Sequence, residues 1–109
     1  MTVSLIPAIG ETEKDRLHQI EELNLDKGTD WREEFKPGSL GCHELLDRAS
    51  IVLNLVDQQL LSHPACVASP EWFALARQAF DALFELHQSV GNLHLNEGRS
   101  ELTAEANGH

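Results

Sequence analysis

The fold is decided by residues 69–91, which read SPEWFALARQAFDALFELHQSVG. Ser69 can cap free backbone N–H groups with its hydroxyl, Pro70 suits the first helical position, and Glu71 favours the positive end of the helix dipole. Gly91 can take the left-handed conformation that closes a helix. The pattern therefore predicts a long helix over 69–91.

A second stretch, residues 41–63, reads GCHELLDRASIVLNLVDQQLLSH and predicts another helix of similar length. This helix is expected to begin near Gly41, with Glu44 placed to complete a capping box. It should end before Pro64, because proline disfavours a helical conformation for the residue that precedes it. The link between the two helices, residues 63–68, is short, so we expect an antiparallel helical hairpin.

The two predicted helices differ in the width of their apolar arcs. The first has one stripe, expected to be buried, within about 120° of arc, formed by Leu45, Leu46, Ala49, Val52, Leu53, Val56 and Leu60. In the second, apolar side chains cover about 200° of arc, with aromatic and aliphatic edges. These edges are Phe73, Phe80 and Phe84 on one side, and Leu75, Ala82 and Leu86 on the other. One antiparallel neighbour cannot cover that arc, so the second helix needs at least two neighbours.

The segment 1–38 is rich in charge and precedes the predicted hairpin. Apolar residues at helical spacing predict an amphipathic helix over about 12–25, with Gly28 as its stop. A short helical turn is expected over about 30–35. The N-terminal helix is expected to pack against the hairpin and to cover one edge of the second helix.

Length and composition limit the classes of function. The 109 residues suffice for one small domain, a helical-hairpin core at 39–95 followed by a disordered tail at 96–109. The 18 acidic and 8 basic residues give a net charge of −10, which argues against direct binding to nucleic acid or to an anionic membrane. Two cysteines are too few for a disulfide scaffold, and no secretory leader or spanning segment is recognisable. We therefore expect a cytoplasmic protein.

The sequence predicts an all-α fold that becomes a four-helix bundle when two copies associate. The expected function is protein–protein interaction or a structural accessory role without catalysis, with a second copy or another protein as the partner. Aromatic anchors dominate the energy of most interfaces. The candidate interface residues are Trp31, Ile51, Leu55, Trp72, Phe73, Phe80 and Phe84. For Trp72 and Phe80, a place in the protein's own core is equally expected.

A first alternative is a metal- or ligand-binding helical protein that uses Cys42, His43 and His87. An antiparallel hairpin places the start of its first helix beside the end of its second, so these side chains, with His94, share one pole. Thiolate and imidazole are ligands that zinc prefers. The ordered ligand pairs of known zinc sites are missing, however, so no cofactor is expected.

A second alternative is an acidic inhibitor or antitoxin-like protein that neutralises a basic partner. The carboxylates along the polar faces of the hairpin are sparse, which weakens this interpretation.

Catalytic motifs in the sequence are equally weak: His63 and Cys66 pair an imidazole with a thiol but lack a third orienting residue. His63 is expected instead to cap the last carbonyl groups of the first helix.

Overall fold

A computed structural model describes the backbone of residues 9–107 and the side chains of residues 10–97. The described chain is helical and contains no strand, which confirms the all-α class. Its elements are α1 (Ile9–Lys27), α2 (Trp31–Glu34), α3 (Leu40–Leu55), a π-helical segment (Val56–Leu61), α4 (Pro64–Ala68) and α5 (Pro70–Asn107). Among these elements, no helix combines the length and the apolar character that crossing a membrane requires.

The chain forms two compact units, which meet in sequence between Glu33 and Glu34. In the N-terminal unit, α1 extends beyond the predicted range of 12–25 at both ends. Gly28 ends it as predicted: its φ of 81° is left-handed, and its N–H donates to the carbonyl of Asn24 at 3.0 Å. The packing of the N-terminal helix against the hairpin stays a prediction.

In the C-terminal unit, α3 and the π-helical segment pack against α5. The start of α3 lies beside residues 91–94 of α5. The rings of His43 and His94 are 5.4 Å apart between centroids, and Leu46 lies over Gly91. The short link predicted at 63–68 is itself largely helical, forming α4, which contacts both the π-helical segment and α5.

One stripe on each helix lies in this contact, and we call the two stripes together the inner seam. On α3 and the turn that follows it, the inner seam consists of Cys42, Leu46, Ala49, Leu53 and Val56, all buried or half-buried. On α5 it consists of Ala76, Phe80, Leu83, His87, Val90 and His94, again all buried or half-buried. Residues alternate at spacings of three and four along both stripes, as in coiled-coil packing.

The π-helical segment corrects the stripe predicted for the first helix. Regular helical spacing places Leu60 one turn after Val56, but Leu60 is 49% exposed and Leu61 is 9% exposed. A π turn contains one residue more than an α turn. The side chain that follows Val56 on the inner seam is therefore Leu61, five residues on.

Two of the described helices, α3 and α5, start after serine caps, and the cap of α5 was predicted. The N–H of Trp72 donates to the hydroxyl of Ser69 at 3.1 Å, which confirms Ser69 as the cap of α5. α3 begins at Leu40, next to the start predicted near Gly41. Its cap is Ser39, whose hydroxyl accepts from the N–H of Cys42 at 3.1 Å.

Two local predictions were wrong at the helix ends. Glu44 forms an ion pair with Arg48, one turn further along α3, instead of completing a capping box. The imidazole of His63 accepts from the N–H of Ala65 at 3.1 Å, so it caps the start of α4 rather than the end of the first helix. Each side chain therefore accepts from a donor further along the chain, the guanidinium of Arg48 for Glu44 and the N–H of Ala65 for His63.

α5 continues sixteen residues beyond its predicted end at Gly91. Gly91 does not close the helix, because Gly28 and Gly38 are the described glycines with positive φ. The physical reason is packing: His94, past the predicted end, is only 8% exposed, and contact with α3 favours continuation of the helix. The tail predicted to be disordered at 96–109 is thus helical as far as Asn107, and residues 108–109 lie outside the described range.

Single-residue deletions test the π-helical segment. Deleting Gln59 should convert it into an ordinary α-helical turn that keeps both Val56 and Leu61 on the inner seam. Deleting Asn54 should rotate Val56 by about 100° away from α5. Both deleted residues are exposed. We expect the Asn54 deletion to be less stable than the Gln59 deletion by about 1–2 kcal/mol, measured by chemical denaturation. Equal stabilities would contradict the extra-residue interpretation.

Candidate functional site

The C-terminal unit exposes many large apolar side chains. Between residues 45 and 95, twelve of them are 38–64% exposed, and in the described chain no side chain is less than 2% exposed. The twelve are Leu45, Ile51, Val52, Leu55, Leu60, Val67, Trp72, Phe73, Phe84, Leu86, Leu93 and Leu95. Exposed apolar side chains in this number are typical of protein interaction sites where they form a continuous patch.

The structure divides the predicted interface residues among different places. Ile51, Leu55, Trp72, Phe73 and Phe84 are exposed on α3 and α5. Phe80 is half-buried and belongs to the inner seam. For this residue the sequence predicted an interface position and a core position equally.

Trp31 lies in the N-terminal unit and is half-buried. Its indole Nε1 donates to Asn24 Oδ1 at 2.8 Å, and the guanidinium of Arg32 lies 5.2 Å from the centre of its ring. These contacts already engage both the polar edge and one face of the indole.

An aromatic flank runs along α5 on the side of Gly91. Phe73 and Phe84 lie there because each is close to a whole number of helical turns from Gly91. The rings of Phe80 and Phe84 are 6.4 Å apart and nearly parallel. The adjoining side of α3 is polar, carrying His43, Asp47, Ser50, Asn54 and Asp57. The aromatic flank is therefore only one helix wide.

The opposite flank is two helices wide, and we call it the outer seam. On α3 and the turn that follows it, the outer seam comprises Leu45, Arg48, Val52, Leu55 and Gln59. On α5 it comprises Trp72, Leu75, Ala79, Ala82, Leu86, Ser89 and Leu93. The prediction that Leu45 and Val52 belong to the buried stripe is wrong: both are exposed, because the inner seam is centred on Ala49. The spacing of three and four residues along the α3 set and the α5 set is the sequence signal that could have identified the outer seam.

The predicted pole of cysteine and histidine forms only in part. Cys42 is buried, and His43 lies against His94, while His87 belongs to the inner seam. His43 Nε2 is 3.5 Å from a carboxylate oxygen of Asp47. Among the described residues, histidine, cysteine and carboxylate side chains form no group of three that could hold a metal ion. The predicted set of Cys42, His43 and His87 is thus not assembled as a ligand group.

His94 instead accepts a structural hydrogen bond. The backbone N–H of Gly38, whose φ of 90° is left-handed, donates to His94 Nδ1 at 2.8 Å. A ring nitrogen that accepts in this way carries no proton, so the other nitrogen, Nε2, holds the proton of the neutral ring. His94 thereby ties the segment before α3 to the middle of α5.

A depression of about 270 Å³ opens at the start of α3. Its lining consists of Phe35, Gly41, Cys42, Glu44, Leu45 and Arg48. Phe35 packs so closely on Gly41 that a Cβ there would collide with its ring and lie 2.5 Å from the carbonyl oxygen of Glu34. Gly41 is therefore required by close packing rather than by backbone conformation.

Several of the charged side chains pair within their own helices. The described pairs include His18–Glu22 at 3.2 Å and Arg77–Asp81 at 3.1 Å. In α1, the guanidinium of Arg16 donates to the carboxylate of Glu13 at 2.9 Å, and this hydrogen bond lowers the pKa of Glu13 and raises that of Arg16. Local pairing of this kind leaves less unbalanced acidic surface for a basic partner.

Comparison of the chain with protein-family models, with curated proteins and with solved structures found no match.

Two glycine-to-alanine variants test the packing around α3. Gly41→Ala should destabilise the protein by about 1–3 kcal/mol, because the added methyl collides with Phe35. Gly91→Ala should stabilise it by about 0.5–1 kcal/mol, because alanine favours the helix interior and its Cβ would meet Leu46 at an ordinary 3.5 Å. Chemical denaturation measures both changes, and a tolerated Gly41→Ala would contradict the close approach.

Replacing His94 tests its hydrogen bond to Gly38. His94→Leu leaves the Gly38 N–H without its acceptor at a cost of about 1–3 kcal/mol, and exchange of the Gly38 amide proton should accelerate. His94→Asn is the matched variant, because its side-chain oxygen can stand near the position of Nδ1 and preserve part of the protection. Amide hydrogen exchange measured by NMR would contradict the assignment if Gly38 stayed equally protected in His94→Leu.

Proposed function

We propose that this chain is a non-catalytic helical protein–protein interaction module, and that α3 and α5 form a hairpin which pairs with the hairpin of a second copy as a four-helix bundle. The observation that supports this proposal most directly is the exposed apolar surface on α3 and α5. A soluble chain gains free energy when a partner covers such a surface, at about 25 cal/mol for each Å² of apolar area removed from water.

The small size of the core also supports association. In the described part of the chain, the buried apolar residues are Cys42, Ala49 and Leu61, and none of them is large and fully buried. Helix pairs with so little core are marginally stable alone. A partner that contributes two more helices would supply the missing contacts.

Charge and thiol chemistry support the proposed setting. The net charge of −10 opposes close approach of two copies, so added salt should strengthen their association by screening this repulsion. Cys42 and Cys66 are both free thiols, which suits the reducing cytoplasm as the proposed location.

Native mass spectrometry of the untagged protein tests the proposal. We expect the mass of two chains, with no metal adduct, at neutral pH and micromolar concentration. A denatured sample serves as the control and should give the mass of one chain. Detection of single chains alone, confirmed by sedimentation at the same concentrations in high salt, would refute self-association. A stoichiometric zinc adduct lost on acidification would favour the metal-binding alternative instead.

A further inference from the structure

The geometry points to the outer seam, rather than the aromatic flank, as the surface on which the second copy docks. This inference rests on the proposed function and assigns its interface. The residues of the outer seam follow one another at alternating spacings of three and four on both helices, which is the same pattern as in the inner seam. α3 and α5 thus each present a second stripe with coiled-coil spacing, and its members are exposed apart from Leu75 and Ala79, which are half-buried.

The angle between the two seams fits a four-helix bundle. At 100° per residue, the centre of the outer seam lies about 100° around each helix from the centre of the inner seam. A helix in a four-helix bundle contacts two neighbours at about a right angle to each other, and each contact uses one stripe. The inner seam serves the first neighbour, within the chain, and the outer seam is correctly placed for the second.

Both outer stripes lie on the same side of the helix pair. Leu46 lies at one edge of the inner seam and is 3.5 Å from the position of a Cβ on Gly91, so this edge of the inner seam is the one nearer the aromatic flank. Leu45 and Val52 lie on the other side of Ala49 from Leu46, and Leu86 and Leu93 lie on the other side of Leu83 from Gly91. A single continuous surface results, and one partner can cover it.

The composition of the outer seam fits a second copy of this chain. Arg48 is its one charged member, and Glu44 pairs with that guanidinium. Two acidic molecules can therefore approach through the outer seam without placing carboxylates of the seam against each other. A two-fold symmetric contact uses the same patch on both partners, so the patch must be complementary to itself. Leu45–Val52 on α3 and Leu86–Leu93 on α5 share a seven-residue spacing, so the apolar side chains of one copy can pack between those of the other.

A matched pair of charge substitutions tests the assignment. Leu86 and Phe84 are 44% and 45% exposed and lie on opposite flanks of α5. We expect Leu86→Glu to yield monomers in sedimentation velocity, while its circular dichroism stays helical. Phe84→Glu should remain a dimer, as the unmodified chain does, because the aromatic flank stays in contact with water.

The outcomes separate this inference from the proposed function. If Phe84→Glu dissociates and Leu86→Glu remains dimeric, the aromatic flank is the interface, and the inference fails while self-association stands. If the unmodified chain is monomeric throughout, both fail. Should Leu86→Glu lose its helical signal, the milder pair Leu86→Ala and Phe84→Ala decides. Leu86→Ala should weaken the dimer on the order of 30-fold, because two leucines are lost from each interface, and Phe84→Ala by less than about threefold.

Discussion

Two helices that pack together can cover only one stripe of each other, and this constraint governs the C-terminal unit. The inner seam uses that single stripe, with Ala49 at its centre on α3 and Leu83 near its centre on α5. Because α5 carries apolar side chains over a much wider arc, the rest of its apolar surface faces water in the single chain. The flanks are therefore exposed because a single chain supplies too few helices to cover the remaining apolar arc of α5.

Local signals were readable from the sequence where a side chain acts on its own backbone. Ser69 before Pro70 predicted the start of α5, and Gly28 predicted the end of α1, because each acts through one hydrogen bond or one dihedral angle. Gly91 misled the prediction for the opposite reason. A glycine permits a helix to end but does not require it, and the contact of His94 with the segment before α3 decides the matter from a distance.

The surface was harder to predict than the elements. The sequence predicts the apolar arc of the first helix but not which residue lies at its centre, and Leu45 and Val52, which the arc predicts to be buried, are exposed. Burial depends on which side of the stripe faces α5, and that depends on contacts distant in sequence, such as Leu46 over Gly91. The π-helical segment adds a second difficulty, because a pattern analysed at 100° per residue assigns Leu60 to the position that Leu61 occupies.

The length of α5 has a consequence for its own backbone. Its 38 residues, at a rise of about 1.5 Å each, span about 57 Å, whereas the 16 residues of α3 span about 24 Å. Much of α5 therefore has no part of α3 beside it. Backbone hydrogen bonds open more easily where few packed side chains hold a helix, so amide protons near the end of α5 exchange with solvent faster than those beside α3.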